Sequence, residues 1–208
     1  NIDDPTVRKA AATALERLTT PYKKGYVPPG AINWGDVDNN NAFYAKQVVM
    51  TPNATISVAV AQMDKTEQYL KEIITHGMPL GNDGNPVPGV LAVSPCIIPK
   101  GAKNVAGAKA LLSDFIRPES LNSYLKETRA RYLPVMMKNI KDDPYWTDPK
   151  DPHRSAAFKQ FTQAVNKPFP QTYNRNYAKV MAEQLWGKML GRIVLDGWTT
   201  EKAVDERL

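Results

Sequence analysis

The sequence has one cysteine, Cys96, so no intrachain disulfide can form and the redox compartment cannot be read from cysteine usage. Lying in an apolar run, Cys96 is expected to be a small buried hydrophobe. Histidine is almost as scarce. His76 and His153 are far apart, without Cys or paired carboxylates at ligand spacing, which points to structural or surface roles rather than a metal site. No apolar run approaches the ~18 residues of a membrane helix, and no basic, apolar, small-residue leader opens the chain. Phosphate loop, dinucleotide fingerprint, nucleophile elbow, zinc motif and kinase signature are all missing. These absences argue against metal-dependent, hydrolytic and nucleotide-driven chemistry, and no cofactor is expected.

What is present suits a globular chain. Of 208 residues, 42% are hydrophobic and 23% charged, which excludes wholesale disorder and collagen-like structure. The net charge of +6 would allow an acidic partner. Lys and Arg are spread along predicted helices and mixed with Glu and Asp, so a solvated surface is the expected reading. The seventeen prolines concentrate in connections.

The stretch Gly89–Asn104 organises the rest. Val90–Val93 and Ile97–Ile98 are short apolar runs broken by Ser94-Pro95, and a continuous apolar run predicts a central buried strand at Val90–Val93. After Pro99-Lys100-Gly101 the period becomes helical through Val105, Ala108, Leu111, Leu112, Phe115 and Ile116, with Asn104 as N-cap. Elsewhere, Asp4-Pro5 starts a helix whose apolar face is Val7, Ala11, Ala14, Leu18 and Tyr22, interrupted near its end by Pro21. Asp36 or Asp38 can cap a short helix, and Val48–Thr51 is β-prone. An amphipathic helix is expected from Lys65 to His76. Pro118-Glu119 opens another, broken at Arg129–Val135. Asp142–Asp151 reads as an exposed loop, its paired acids solvating or turn-forming. A helix follows near His153-Arg154-Ser155. The longest helix is expected from about Tyr177 to Asp196, and Thr199 caps the last.

Ile98-Pro99-Lys100-Gly101-Ala102-Lys103-Asn104, the Ala/Leu-rich helix to Phe115 and Pro118-Glu119 resemble the middle of an extracellular solute-binding protein of an ABC-type importer, of the sugar-binding, maltose-binding-protein-like group. A helix carrying Asn41-Ala42-Phe43 ahead of a run ending in Met50 is similar to the same family. So is the long helix followed by Gly197 and Thr199-Thr200-Glu201-Lys202-Ala203-Val204. Two departures stand out. Lys46 replaces a commonly small residue, and Asn53-Ala54-Thr55-Ile56 stands where the family often has Gly and a sugar-stacking Trp.

The resemblance implies an α/β, periplasmic-binding-protein-like (type II) fold, here a helix-rich C-terminal lobe with a few strands. Residues 1–208 would be the C-terminal part of a two-lobed binder, with 100–134 an excursion belonging to the other lobe. A start on Asn-Ile-Asp-Asp-Pro without Met fits a processed chain, or a piece of a protein about twice as long. The implied function is binding a small polar solute, a sugar or polyol, in an interlobe cleft for import. The implied partner is a membrane permease, the location periplasmic or extracellular, and the state a monomer, with no catalysis and no nucleic acid. Two other classes compete: an enzyme on a small carbohydrate, which needs two carboxylates held across a cleft, and a basic helical nucleic-acid binder, which needs cations on one face. Polar–aromatic clusters at element boundaries nominate Trp34, Asp36, Asn53, Tyr132, Tyr173 and Asn174 as the ligand-facing edge. Flat rings meet sugar C–H faces while Asp and Asn direct hydrogen bonds to hydroxyls. Trp34, in a Gly-Asp turn, is the first choice.

Overall fold

A computed structural model describes residues 2–136, 138, 143–169 and 172–206. The chain divides into two compact units, 1–52 with 170–208, and 53–169.

In the first unit, α1 (Pro5–Lys23) starts as its sequence dictates. The Asp4 carboxylate accepts from the Thr6 and Val7 N–H groups, and Pro sits where no donor is needed. Those backbone bonds hold the Asp4 carboxyl below its ordinary range. The buried stripe is Ala11, Ala12, Leu15 and Thr19, whereas Val7 and Leu18 are exposed. The expected apolar face is therefore rotated by about one residue. The reason is chemical: Thr19 can be buried because its hydroxyl donates to the Leu15 carbonyl at 2.9 Å, and two alanines allow close helix approach. Pro21 lies inside the last turn without stopping the helix before Lys23. A 3-10 turn (Pro29–Asn33) and α2 (Asp38–Tyr44) follow, and Val48–Thr51 forms no strand.

The C-terminal helix is broken. α8 (Tyr177–Ala182) and α9 (Leu185–Val194) are separated at Gln184, whose φ of 55° is left-handed. α10 (Thr200–Asp205) is capped by Thr199, which accepts from the Lys202 N–H. α1, α9 and α10 enclose a core of Ala11, Ala12, Leu15, Ile193, Ala203 and Val204. Arg8 and Asp205 close its edge as an ion pair.

The second unit contains α3 (Ser57–Val60), β1 (Gly89–Leu91), α4 (Val105–Phe115), α5 (Pro118–Glu127), α6 (Pro144–Thr147), α7 (Pro152–Gln163) and β2 (Asn166–Pro168). Instead of a helix over 65–76, one π turn (Gln68–Glu72) leads into an extended segment. Asn104 caps α4 as its position predicts, accepting from Gly107. The core is Ile56, Leu125, Ala130 and Trp146, with Leu121, Leu133, Phe158 and Phe161 packed against it.

Three expectations are corrected here. Val90–Val93 is not a buried central strand: β1 is three residues long, pairs in parallel with β2 alone (Gly89 opposite Asn166), and leaves Val90 61% and Val93 66% exposed. A continuous apolar run is buried only where layers cover both faces. Among the described residues none covers this one, and Pro168 and Pro95 deny it further ladder donors. Cys96, in the extended stretch beyond β1, is exposed for the same reason. The 142–151 segment is not wholly an exposed loop. Asp143 caps α6 through the Tyr145 N–H, and that turn carries Trp146 to full burial. Asp142 lies outside the described residues.

Candidate solute-binding site

The four tryptophans separate structural from available aromatic surface. Trp146 is completely buried, edge-on to Tyr145 at 5.0 Å between ring centroids. Trp198 carries the Lys202 ammonium 3.9 Å and the Arg192 guanidinium 5.0 Å from its ring centroid, so cations occupy it. Trp34 is half-buried at the end of the 3-10 turn, its N–H bonded to the Ala31 carbonyl. Its Nε1 lies 3.9 Å from where a Gly30 β-carbon would be, so the indole folds over its own turn. Trp186 differs. It opens α9, is 36% exposed, and donates Nε1–H to the Tyr177 hydroxyl at 3.0 Å across the α8–α9 break. That bond holds two amphipathic aromatics together at the surface.

The nominated residues fall in both units: Trp34, Asp36, Tyr173 and Asn174 in the first, Asn53 and Tyr132 in the second. Trp34 and Asp36 share one turn. Asp38, not Asp36, supplies its hydrogen bond, accepting from the Gly35 N–H at 2.7 Å, and Asp36 is exposed. Asn174 closes an Asx turn by accepting from Asn176, beside an exposed Tyr173. Tyr177, three residues beyond Asn174, opens α8, and its hydroxyl meets Trp186 across the α8–α9 break. Asn53 is exposed. Tyr132 is 46% exposed, with the Arg131 guanidinium 5.9 Å from its ring centroid. Sequence reasoning missed Trp186, because its place within an apolar helical run reads as core. It lies seven residues before the buried Ile193 on the same helix face, so the spacing carries no signal of its exposure.

The second unit holds a buried polar cluster. The Tyr69 hydroxyl donates to Asp151 at 2.8 Å, and Asp151 also accepts from the Arg154 N–H and faces its guanidinium at 3.4 Å. Burial first, and the Asp151 bond second, push the Tyr69 phenol above its ordinary range. Arg154 stacks 3.9 Å over the Tyr145 ring centroid. His153, fully buried, lies 2.5 Å through Nε2 from the Tyr69 carbonyl and 2.7 Å through Nδ1 from the Thr75 hydroxyl. A carbonyl only accepts, so Nε2 carries a proton and Nδ1 is free to accept from Thr75. A hydroxyl beside an imidazole has the form of an activated nucleophile. Here the ring is tied to a neutral carbonyl and sealed from solvent, and the pair fastens the 69–75 segment to α7. Beside it, a cleft of about 650 Å³ is lined by Thr75, His76, Ser155, Lys159, Gln160 and Gln163, without a Phe, Tyr or Trp ring. Among the described residues, no three His, Cys, Asp or Glu side chains gather at metal-binding distance, and no helix is long and apolar enough to cross a membrane.

The family model for bacterial extracellular solute-binding proteins matches residues 2–154. The chain belongs to this family. Membership makes it a solute-binding protein acting outside the cytoplasm, as the substrate-binding part of a transporter. No curated protein matches the chain. The match ends at the start of α7, so α8, α9 and α10, with Trp186, lie beyond it.

Proposed function

We propose that this protein binds a sugar or polyol for an ABC importer, the Tyr177–Trp186 pair forming the face on which the ring stacks. The observation that carries this reading is the pinned and exposed Trp186. An indole left partly open, its N–H already satisfied, presents an apolar π face at low entropic cost, which suits the C–H side of a pyranose. Tyr173 and Asn174 stand on the connection leading to it, Trp34 and Asp36 of the same unit are proposed as further ligand contacts, and Asn53 and Tyr132 are proposed as ligand contacts on the second unit. The chain acts as the C-terminal part of a two-lobed, maltose-binding-protein-like (type II) receptor, with 100–134 contributing to the other lobe. Exposed Val93 (66%) and Ile97 (79%) support a two-lobed receptor, since a partner layer would bury them. The receptor is a monomer that delivers solute to a membrane permease, without turnover.

The test is a calorimetric screen of this protein against monosaccharides, disaccharides, polyols, amino acids and short peptides, with product analysis of any ligand found. Saturable binding of a sugar or polyol, recovered unchanged, is expected. Binding confined to amino acids or peptides, or conversion of the sugar, would overturn the assignment.

A further inference from the structure

The cations are spread along the chain, but the acids that would balance them are not. Between residues 100 and 141 there are nine Lys or Arg and only three Asp or Glu, whereas the rest of the chain has eighteen of each. The entire net charge of +6 therefore resides in this stretch of the second unit. It comprises the Pro99–Gly101 turn, α4, α5 and the segment after them. Lys100, Lys103 and Lys109 are exposed, and none has an ion-pair partner among the described residues. Arg117 pairs within its own turn, with Asp114. Lys126 and Arg129 pair with Asp143 and Asp64 from outside the stretch, which leaves Lys100, Lys103 and Lys109 as open cations among the described residues. Apolar side chains are interleaved with these cations: Val105, Leu111 and Ile116 on and after α4 are 40%, 69% and 57% exposed.

We infer that the basic surface around α4 docks on an anionic bilayer. Exposed cations next to exposed aliphatic groups match phosphate headgroups above acyl chains. A second copy of the chain would bring the same positive charge and be repelled. Nucleic acid shares the phosphate chemistry, but the family works outside the cytoplasm, and open aliphatic side chains add nothing to a phosphate backbone. Docking would concentrate the protein at the membrane that holds a permease. It stands on charge placement and holds or fails independently of which solute is bound.

The experiment is sedimentation with vesicles of phosphatidylcholine alone or mixed with phosphatidylglycerol, at low and high salt. Each basic residue near an anionic surface strengthens partitioning about fivefold. The Lys100→Gln/Lys103→Gln/Lys109→Gln variant should therefore bind phosphatidylglycerol vesicles about a hundredfold more weakly. A control of equal charge, Lys9→Gln/Lys24→Gln/Lys188→Gln, exposed on the first unit, should change binding less than about threefold. Circular dichroism melts of both triples verify folding, and Lys109→Gln alone, with about a fivefold loss, serves if the triple is unstable. Absent phosphatidylglycerol-dependent binding, equal losses in the two triples, or equally tight binding to duplex DNA at the same salt would each overturn the inference.

Discussion

Replacing Tyr69 with Phe removes one oxygen from the most connected buried site in the protein. Tyr69 is 6% exposed, and its hydroxyl is one of the donors holding the Asp151 carboxylate. Asp151 keeps the Arg154 N–H at 2.9 Å and the guanidinium at 3.4 Å, so its charge is not orphaned. The loss is that of one hydrogen bond to a charged acceptor, about 1.5–3 kcal/mol. The ring and its 4.4 Å contact with His153 remain. Urea unfolding followed by circular dichroism should show this destabilisation of the 53–169 unit at neutral pH. The pH profile gives an independent reading. The folded phenol titrates above the unfolded value of about 10, so the unfolded chain loses its proton first and stability falls as pH rises beyond about 10. Tyr69→Phe should remove that part of the alkaline decline and leave the rest. A loss below about 0.5 kcal/mol with an unchanged alkaline limb would refute the idea that this bond fastens the 69–75 segment to α7.

Two further substitutions test the core of the second unit and the cap of α1. Trp146→Ala empties a fully buried site and should cost about 3–5 kcal/mol, seen as early unfolding of the second unit; a cost under about 1 kcal/mol would mean the ring is not the centre of that core. Asp4→Ala removes the N-cap of α1 and should lower the unfolding midpoint at neutral pH. Because the folded Asp4 carboxyl is held low, that difference should vanish as acid protonates it, and a difference that survives at about pH 2 would contradict the cap.

Much of the local structure was legible because its causes are local. Asp4, Asn104 and Thr199 each cap a helix where a short polar side chain precedes an apolar period. Errors arose where burial depends on distant chain. The Val90–Val93 run has the composition of a covered strand, yet covering layers are a tertiary property and none is supplied by the described residues. Thr19 and Asp151 are buried because of partners: a carbonyl one turn back for the first, a tyrosine eighty-two positions away for the second. No hydropathy pattern encodes those. For the site, the aromatic and Asn-rich connection at 173–177 was visible. Trp186 was not, because a tryptophan seven residues before the buried Ile193 reads as core, and spacing does not reveal that it stays 36% exposed with its N–H on Tyr177.

Solute affinity of Trp186→Ala, measured by calorimetry with the best sugar or polyol from the screen, tests the central claim most directly. If the indole is the stacking face, affinity should fall by at least ~1 kcal/mol, about fivefold. Trp186→Phe should recover most of the loss, and the melting temperature of the unliganded protein should barely move. Trp34→Ala, measured alongside, should weaken binding by a similar amount if that ring also meets the ligand, and should instead lower unliganded stability if it only packs its own turn. Undiminished affinity in Trp186→Ala would contradict the account and leave the family assignment without a site on this surface.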